Sequence, residues 1–112
     1  MTFEEITTCI DLCVESAREC ERCTNACLGE PDVSSLTDCI RLTQDCAHVC
    51  WTTASLLGRH SRFLRDICRL CGEVCEACSV ECRRFSHEHN QRCADLCDEC
   101  AEECRRLAGV PV

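Results

Sequence analysis

The sequence predicts an all-α protein, an antiparallel up-down-up-down four-helix bundle with cysteine side chains lining its core. Seventeen cysteines recur at steps dominated by three, four and seven residues, which is helical spacing. They fall in four segments separated by short stretches that contain turn-forming residues. The length of 112 residues suits a single domain over 1–112. Long consecutive helices with short connections favour an antiparallel bundle.

The first two helices are delimited by residues that end or begin helices. Helix 1 is expected over about 2–28, because Gly29 is a natural residue just past a helix end. The proline-containing turn that follows cannot continue the helix. Ser35 with Asp38 three residues later resembles a capping box. This pair predicts that helix 2 runs over about 35–57.

Helices 3 and 4 are predicted from the same kinds of signal. Ser61 can cap helix 3, which is expected over about 61–85. A short turn is expected over 86–89, and helix 4 then continues to Leu107. The segment 109–111 contains glycine and proline and ends this helix.

The cysteines form one stripe on each predicted helix. At about 100° per residue, the cysteines of each helix lie within an arc of about 80°. A bundle helix turns such an arc towards the core, and free cysteine packs there as a small hydrophobe. We therefore expect a thiol-lined tube. The candidate metal ligands are Cys9, Cys13, Cys20, Cys23, Cys27, Cys39, Cys46, Cys50, Cys68, Cys71, Cys75, Cys78, Cys82, Cys93, Cys97, Cys100 and Cys104.

Composition and charge argue against several classes of protein. The formal net charge is −8, and no basic cluster of the kind that binds nucleic acid is present. No apolar stretch approaches the length of a membrane span. The segment 1–6, Met-Thr-Phe-Glu-Glu-Ile, lacks the pattern of a secretory signal, so we expect a cytoplasmic protein with reduced thiols. An odd number of cysteines also cannot pair completely within the chain.

Cysteines in this arrangement point to a soft metal ion. Thiolates select Cu(I), zinc or iron–sulfur clusters. Cu(I) accepts two or three sulfur ligands, so a file of thiols can hold a file of ions. Zinc requires four ligands in a tetrahedron, and an iron–sulfur cluster draws on four cysteines in loop geometry. The leading hypothesis is storage of many Cu(I) ions without catalysis. A zinc- or cadmium-sequestering protein of the same fold and an iron–sulfur electron carrier remain as alternatives.

Histidines and aromatic residues are expected at the ends of the tube. His87 and His89 lie at the turn between helices 3 and 4, and His89 is one helical turn before Cys93. Imidazole is a competent copper ligand, so both histidines are candidate ligands at a mouth. Phe3 and Phe63 fall near the opposite end, which we expect them to obstruct.

The cysteine pattern resembles that of the bacterial copper storage proteins, and specifically their cytosolic branch. The resemblance covers essentially the whole chain. The stretches that carry it are 39–47, 61–63, 68–82, 87–89 and 93–105. It implies a four-helix bundle that stores Cu(I) in the cytosol, assembles as a homotetramer and catalyses no reaction. The implied partners are copper ions and a copper chaperone or small-molecule copper donor.

Four positions depart from a fully thiol-lined pattern. Asn90 follows the two histidines at a position where such proteins often have cysteine. Ser16, Thr43 and Thr53 also fall on the inward stripes. A hydroxyl there can hydrogen-bond to a backbone carbonyl of the preceding turn but is a poor Cu(I) ligand. We therefore expect a lower copper capacity than that of a fully thiol-lined relative.

Overall fold

The computed structural model describes residues 1–109 and consists of four long helices. These are α1 (Phe3–Leu28), α2 (Thr37–Gly58), α3 (Leu64–Cys82) and α4 (Glu88–Ala108), with a short 3-10 helix over Val33–Leu36 before α2. No β-strand occurs within these residues. The predicted all-α class and the number of helices are confirmed.

The helices pack as an elongated four-helix bundle of about 45 × 24 × 19 Å. Helix α1 lies beside α2 and α4, and α3 lies beside the same two helices. The backbones of the diagonal pairs lie farther apart, and these pairs meet through side chains such as Cys46 and Cys97, whose sulfurs are 3.9 Å apart. One end of the bundle holds the connections 29–36 and 83–87, and we call it the histidine end. The opposite end holds the connection 59–63. In the described part of the chain, no helix combines the length and apolarity needed to cross a membrane.

The first turn of α1 and the last turn of α4 are both capped, and the glycine after α4 is the one that the sequence predicts. The Thr2 hydroxyl accepts a hydrogen bond from the backbone N–H three residues later (3.1 Å). Helix α4 ends at Gly109, whose positive φ of 78° is the left-handed conformation that glycine adopts readily. Arg105 and Arg106 in its last turn complement the negative end of the helix dipole. The predicted stop at Pro111 lies outside the described residues.

The predicted capping box of helix 2 is wrong. No side-chain cap precedes α2, which begins at Thr37. Ser35 instead lies inside the 3-10 helix Val33–Leu36, where its N–H donates to the carbonyl oxygen of Asp32 (2.9 Å). This tighter i→i+3 turn occupies the residues that a box with Asp38 requires in extended or α-helical conformation.

The connections around α3 also differ slightly from the prediction. The Ser61 hydroxyl accepts from the N–H of Phe63 (3.1 Å), so it caps a turn and α3 begins only at Leu64. Helix α3 ends at Cys82, three residues before the predicted end. Helix α4 begins at Glu88, which places His89 in its first turn rather than in the preceding connection.

The core is made of thiols along most of its length and of aliphatic side chains at the end opposite the histidines, with Leu36 of the 3-10 helix also buried at the histidine end. All seventeen cysteines have no solvent-exposed surface. Beyond the last cysteines at the end opposite the histidines, the inward positions are Ile6, Leu57, Leu64 and Leu107, which we call the aliphatic layer. Three of them are buried, and Leu64 packs partly buried against the same core. This layer closes that end of the tube.

The predicted role of Phe3 and Phe63 as plugs is wrong. Phe3 is 79% exposed and Phe63 is 53% exposed. The ring of Phe63 lies on the surface with the guanidinium of Arg62 5.0 Å from its centroid. The aliphatic layer already fills the space that these rings would occupy, so the rings remain outside.

We expect the reduced, metal-free protein to be folded, because buried thiols and the aliphatic layer supply an apolar core without metal. Far-UV circular dichroism should show nearly the same helicity before and after addition of Cu(I), and thermal unfolding of the metal-free protein should be cooperative. A random-coil spectrum in the absence of metal would contradict this expectation, since it would mean that folding depends on the ion as in zinc fingers.

Candidate metal centre

The cysteine sulfurs form a continuous column along the axis of the bundle. All seventeen are free thiols. Neighbouring sulfurs on different helices lie close together, with 3.5 Å between the Sγ atoms of Cys39 and Cys82 and 3.6 Å between those of Cys46 and Cys75. An ion bonded about 2.3 Å from each of two sulfurs spans up to about 4.6 Å. These distances therefore suit one metal ion held between two or three sulfurs.

The sulfurs gather into overlapping groups whose ligand atoms all lie within 4.8 Å of one another. From the aliphatic layer towards the histidine end, five of these groups are Cys9–Cys68–Cys104, Cys13–Cys71–Cys100–Cys104, Cys50–Cys71–Cys75–Cys100, Cys20–Cys46–Cys78–Cys97 and Cys23–Cys39–Cys82. Cys71, Cys100 and Cys104 each belong to two of them. The three groups nearest the aliphatic layer therefore share ligands, and the 3.6 Å contact between the sulfurs of Cys46 and Cys75 links the fourth group to them.

Three hydroxyl side chains interrupt the column, as the sequence predicts. Ser16, Thr43 and Thr53 are completely buried. The hydroxyls of Thr53 and Thr43 donate to carbonyl oxygens four and three residues earlier, at 2.7 and 3.0 Å. The Ser16 hydroxyl instead lies 3.7 Å from the sulfur of Cys97. Each hydroxyl therefore has a partner, and each leaves one inward position without a thiol.

Asn90 places an amide among the thiols nearest the histidine end. Its side chain has no exposed surface, and its Nδ2 donates to the sulfurs of Cys39 (3.2 Å), Cys23 (3.6 Å) and Cys27 (3.8 Å). Its Oδ1 atom is buried and has no hydrogen-bond partner among residues 1–109. An unpaired buried acceptor destabilises a protein by about 1–3 kcal/mol. The stability of the fold therefore does not explain why an amide occupies this buried position.

His89 is the histidine that the structure brings to the thiols. Its Nδ1 lies 3.5 Å from the sulfur of Cys23 and 4.0 Å from that of Cys27. Its Nε2 is buried without a hydrogen-bond partner among the described residues, and the nearest carboxylate oxygen, on Glu30, is 3.9 Å away. About a fifth of the side chain is exposed, so the ring joins the thiol column to solvent.

His87 faces carboxylates rather than thiols. Its Nδ1 lies 2.7 Å from Glu30, and its Nε2 lies 3.2 Å from Asp32. Its ring stacks on that of His89 with centroids 5.2 Å apart. In the sequence, Glu30 and Asp32 are recognisable only as residues of the proline-containing turn between helices 1 and 2. Their contact with His87 could have been expected, because the helix 1–2 and helix 3–4 connections of an antiparallel bundle lie at the same end.

Burial and contacts with neighbouring thiols raise the pKa of eleven of the seventeen cysteines, whereas such contacts lower the pKa of the other six. Burial is the largest influence on Cys27 and raises its pKa, against smaller opposing effects of hydrogen bonds from Cys23 and Asn90. The pKa of Cys75 is raised well above its ordinary value, first by its contact with Cys100 and then by other neighbouring thiols and by burial. Thiols of this kind bind a metal ion only with release of their protons.

These features define a class of protein, the metal-binding four-helix bundles whose core is a column of buried sulfur ligands. The family model described as copper storage protein matches residues 2–109. The chain therefore belongs to the copper storage protein family.

Individual relatives agree with this assignment. An uncharacterized cysteine-rich protein of Bacillus subtilis is 40% identical over 83 residues, which is 74% of this chain and 77% of that protein. The copper storage protein 3 of Bacillus subtilis, solved without metal, has 39% identity and a TM-score of 0.87 over 91% of this chain and 97% of its own. A cytosolic copper storage protein from Streptomyces lividans, solved with five coppers, has 40% identity and a TM-score of 0.92 over 97% and 96% of the chains.

We expect the reduced, metal-free protein to lose stability as the pH rises above about 8.5, where unfolded cysteine ionises. Folded thiols with raised pKa values, such as Cys27 and Cys75, keep their protons there, so the folded state binds more protons than the unfolded state. Each such thiol lowers the free energy of unfolding by up to about 1.4 kcal/mol per pH unit until its own pKa is reached. Thermal unfolding under reductant from pH 7 to 10 measures this; a Tm that rises with pH would contradict it.

Proposed function

We propose that this protein stores many Cu(I) ions in the cytosol, bound by the thiolates of its core. The observation that carries the proposal is the column of buried sulfur groups, three of which share members while a fourth adjoins them through the contact of Cys46 with Cys75. Sharing lets neighbouring ions use the same bridging thiolate, which increases the number of ions that seventeen cysteines hold. Membership of the copper storage protein family and the solved copper-loaded relatives support the same function.

The geometry favours Cu(I) over the other soft metals. Two of the groups, Cys9–Cys68–Cys104 and Cys23–Cys39–Cys82, offer three sulfurs, which suits Cu(I) better than tetrahedral zinc. Two of the four-sulfur groups share Cys71 and Cys100, whereas a structural zinc site normally keeps four ligands to itself. All the sulfurs project from helices, unlike the loop ligands of iron–sulfur proteins. Within residues 1–109 the ligand set is buried and no open cleft leads to it, which supports storage rather than catalysis.

We propose that copper passes through the histidine end and that His89 is a ligand there. The opposite end is closed by the aliphatic layer, and the sides are closed by packed helices. His89 is partly exposed and touches the outermost thiols, so it can accept an ion from a donor and pass it inward. His87 belongs to the same mouth through Glu30 and Asp32, which orient its ring. The donor is a copper chaperone or a small copper complex.

We also propose a homotetramer, as the family resemblance implies. Exposed apolar side chains that suit contacts between copies are Trp51, Leu70 and Val80. Light scattering at micromolar concentration should report four copies per particle, and a monomer would contradict the assembly without affecting the metal site.

Anaerobic titration of the reduced protein with Cu(I) should saturate at a number of ions comparable to the seventeen thiols. Uptake should release protons, because thiols with raised pKa must ionise to bind, and it should weaken as the pH falls. A Cu(I) chelator as competitor and a parallel titration with zinc separate copper storage from zinc sequestration. Saturation at one to a few copper ions per chain would contradict the storage function.

Replacing both His87 and His89 with alanine should slow copper loading and unloading while leaving the total capacity almost unchanged. We expect His89→Ala alone to give most of the effect, roughly tenfold in rate, which corresponds to about 1.4 kcal/mol in the barrier to transfer. Stopped-flow transfer from a Cu(I) chelator measures the rates. The control is His60→Ala, at an exposed position near the opposite end. Equal rates in all variants would mean that copper enters elsewhere.

A further inference from the structure

Asn90 is the one fully buried carboxamide among residues 1–109, and it lies at the junction of mouth and column. It directly follows His89 in α4. Its Nδ2 is within hydrogen-bonding distance of Cys23, Cys27 and Cys39, three sulfurs from two other helices. Cys23 and Cys39 also belong to the outermost three-sulfur group. The amide therefore acts on the thiols that an ion meets first and leaves last.

A hydrogen bond to sulfur changes how strongly that sulfur holds a metal. The N–H group draws electron density from the thiolate, so the sulfur becomes a weaker donor to the ion. Hydrogen bonds to sulfur tune iron–sulfur centres in the same way. Asn90 also occupies an inward position of α4 that could otherwise carry a fourth sulfur for this layer. Both effects weaken copper binding, and they do so only at the outermost sulfur group, at the histidine end.

The sulfurs in the rest of the column have different neighbours. The group Cys9–Cys68–Cys104 abuts the aliphatic layer, and no side-chain amide donates to these sulfurs within the described part of the chain. The interior four-sulfur groups likewise have only other thiols, and Ser16 beside Cys97, as polar neighbours. Weakening of sulfur by an amide is therefore confined to the histidine end.

We propose that Asn90 is a positioning residue that keeps the outermost copper site labile, so that the column consists of an exchange site at the mouth and a storage section behind it. This inference rests on the proposed Cu(I) storage. Copper at the exchange site is held by sulfurs weakened by the Asn90 N–H groups and by His89, and it leaves faster than copper in the four-sulfur groups. The amide retains its place despite its unpaired Oδ1 because a thiol or an aliphatic side chain there would remove the exchange site.

The test is stopped-flow removal of copper from fully loaded protein by a high-affinity Cu(I) chelator. Wild-type protein should show a fast fraction of about one or two ions followed by slow release of the remainder. Asn90→Leu preserves the approximate volume but donates no hydrogen bond, and it should slow the fast fraction by about tenfold. Asn90→Cys adds a sulfur ligand and should abolish the fast fraction. The sulfur-to-copper charge-transfer absorption of the outermost ions should move to longer wavelength in Asn90→Leu, because the sulfur regains electron density.

The matched control is Thr53→Val, a nearly isosteric change at a buried polar position whose hydroxyl contacts backbone rather than sulfur. It should leave the fast fraction and the spectrum unchanged. Circular dichroism checks that each variant folds. If Asn90→Leu does not fold, Asn90→Cys provides the test. Full capacity with equal fast release in wild type and both Asn90 variants would overturn the inference while leaving storage intact. A wild-type capacity of one to a few ions would overturn storage and, with it, this inference.

Discussion

The rest of the structure depends on burying seventeen small thiols together along one axis. A helix can bury them only if they lie on one side, which the three- and four-residue steps ensure. Small side chains also let the helices approach closely. At Gly72 of α3, a Cβ atom would lie only 3.0 Å from the Cγ atom of Arg105 on α4. The cysteines that form most of the core are thus also the candidate copper ligands, so helix packing and ligand placement have one cause.

The two ends of the tube differ in chemistry, and this difference gives the molecule a direction. At one end the inward stripes continue as aliphatic side chains, which offer no ligand and exclude water. At the other end they continue as His89 and Asn90, beside Glu30 and Asp32 from the facing connection. Polar atoms at that end can meet solvent or an incoming ion, whereas the closed end only seals the column. This difference supports the proposal that copper passes through the histidine end.

The polar side chains that interrupt the column of sulfurs are of two kinds, which differ in their hydrogen-bond partners. Thr43 and Thr53 satisfy their hydroxyls on backbone carbonyls, so they reduce the ligand count without affecting sulfur. Asn90 instead directs its donors at sulfur and leaves its acceptor unpaired. The first arrangement is neutral for stability, and the second is unfavourable unless the amide acts on the metal ligands. The same criterion separates His89, which contacts sulfur, from His87, which contacts carboxylates.

The sequence by itself determined the bundle, the inward stripe of every cysteine and the placement of two histidines at one end, because helical periodicity and turn residues are local properties. Tertiary structure decided what depends on neighbours from other helices. It selected which sulfurs share a group, turned His89 and not His87 towards them, and left Phe3 exposed beyond the aliphatic layer. It also replaced the predicted cap at Ser35 with a 3-10 turn. Residues that helical periodicity places at equivalent positions differ only in their neighbours on the facing helices and connections, and the sequence alone does not show these neighbours.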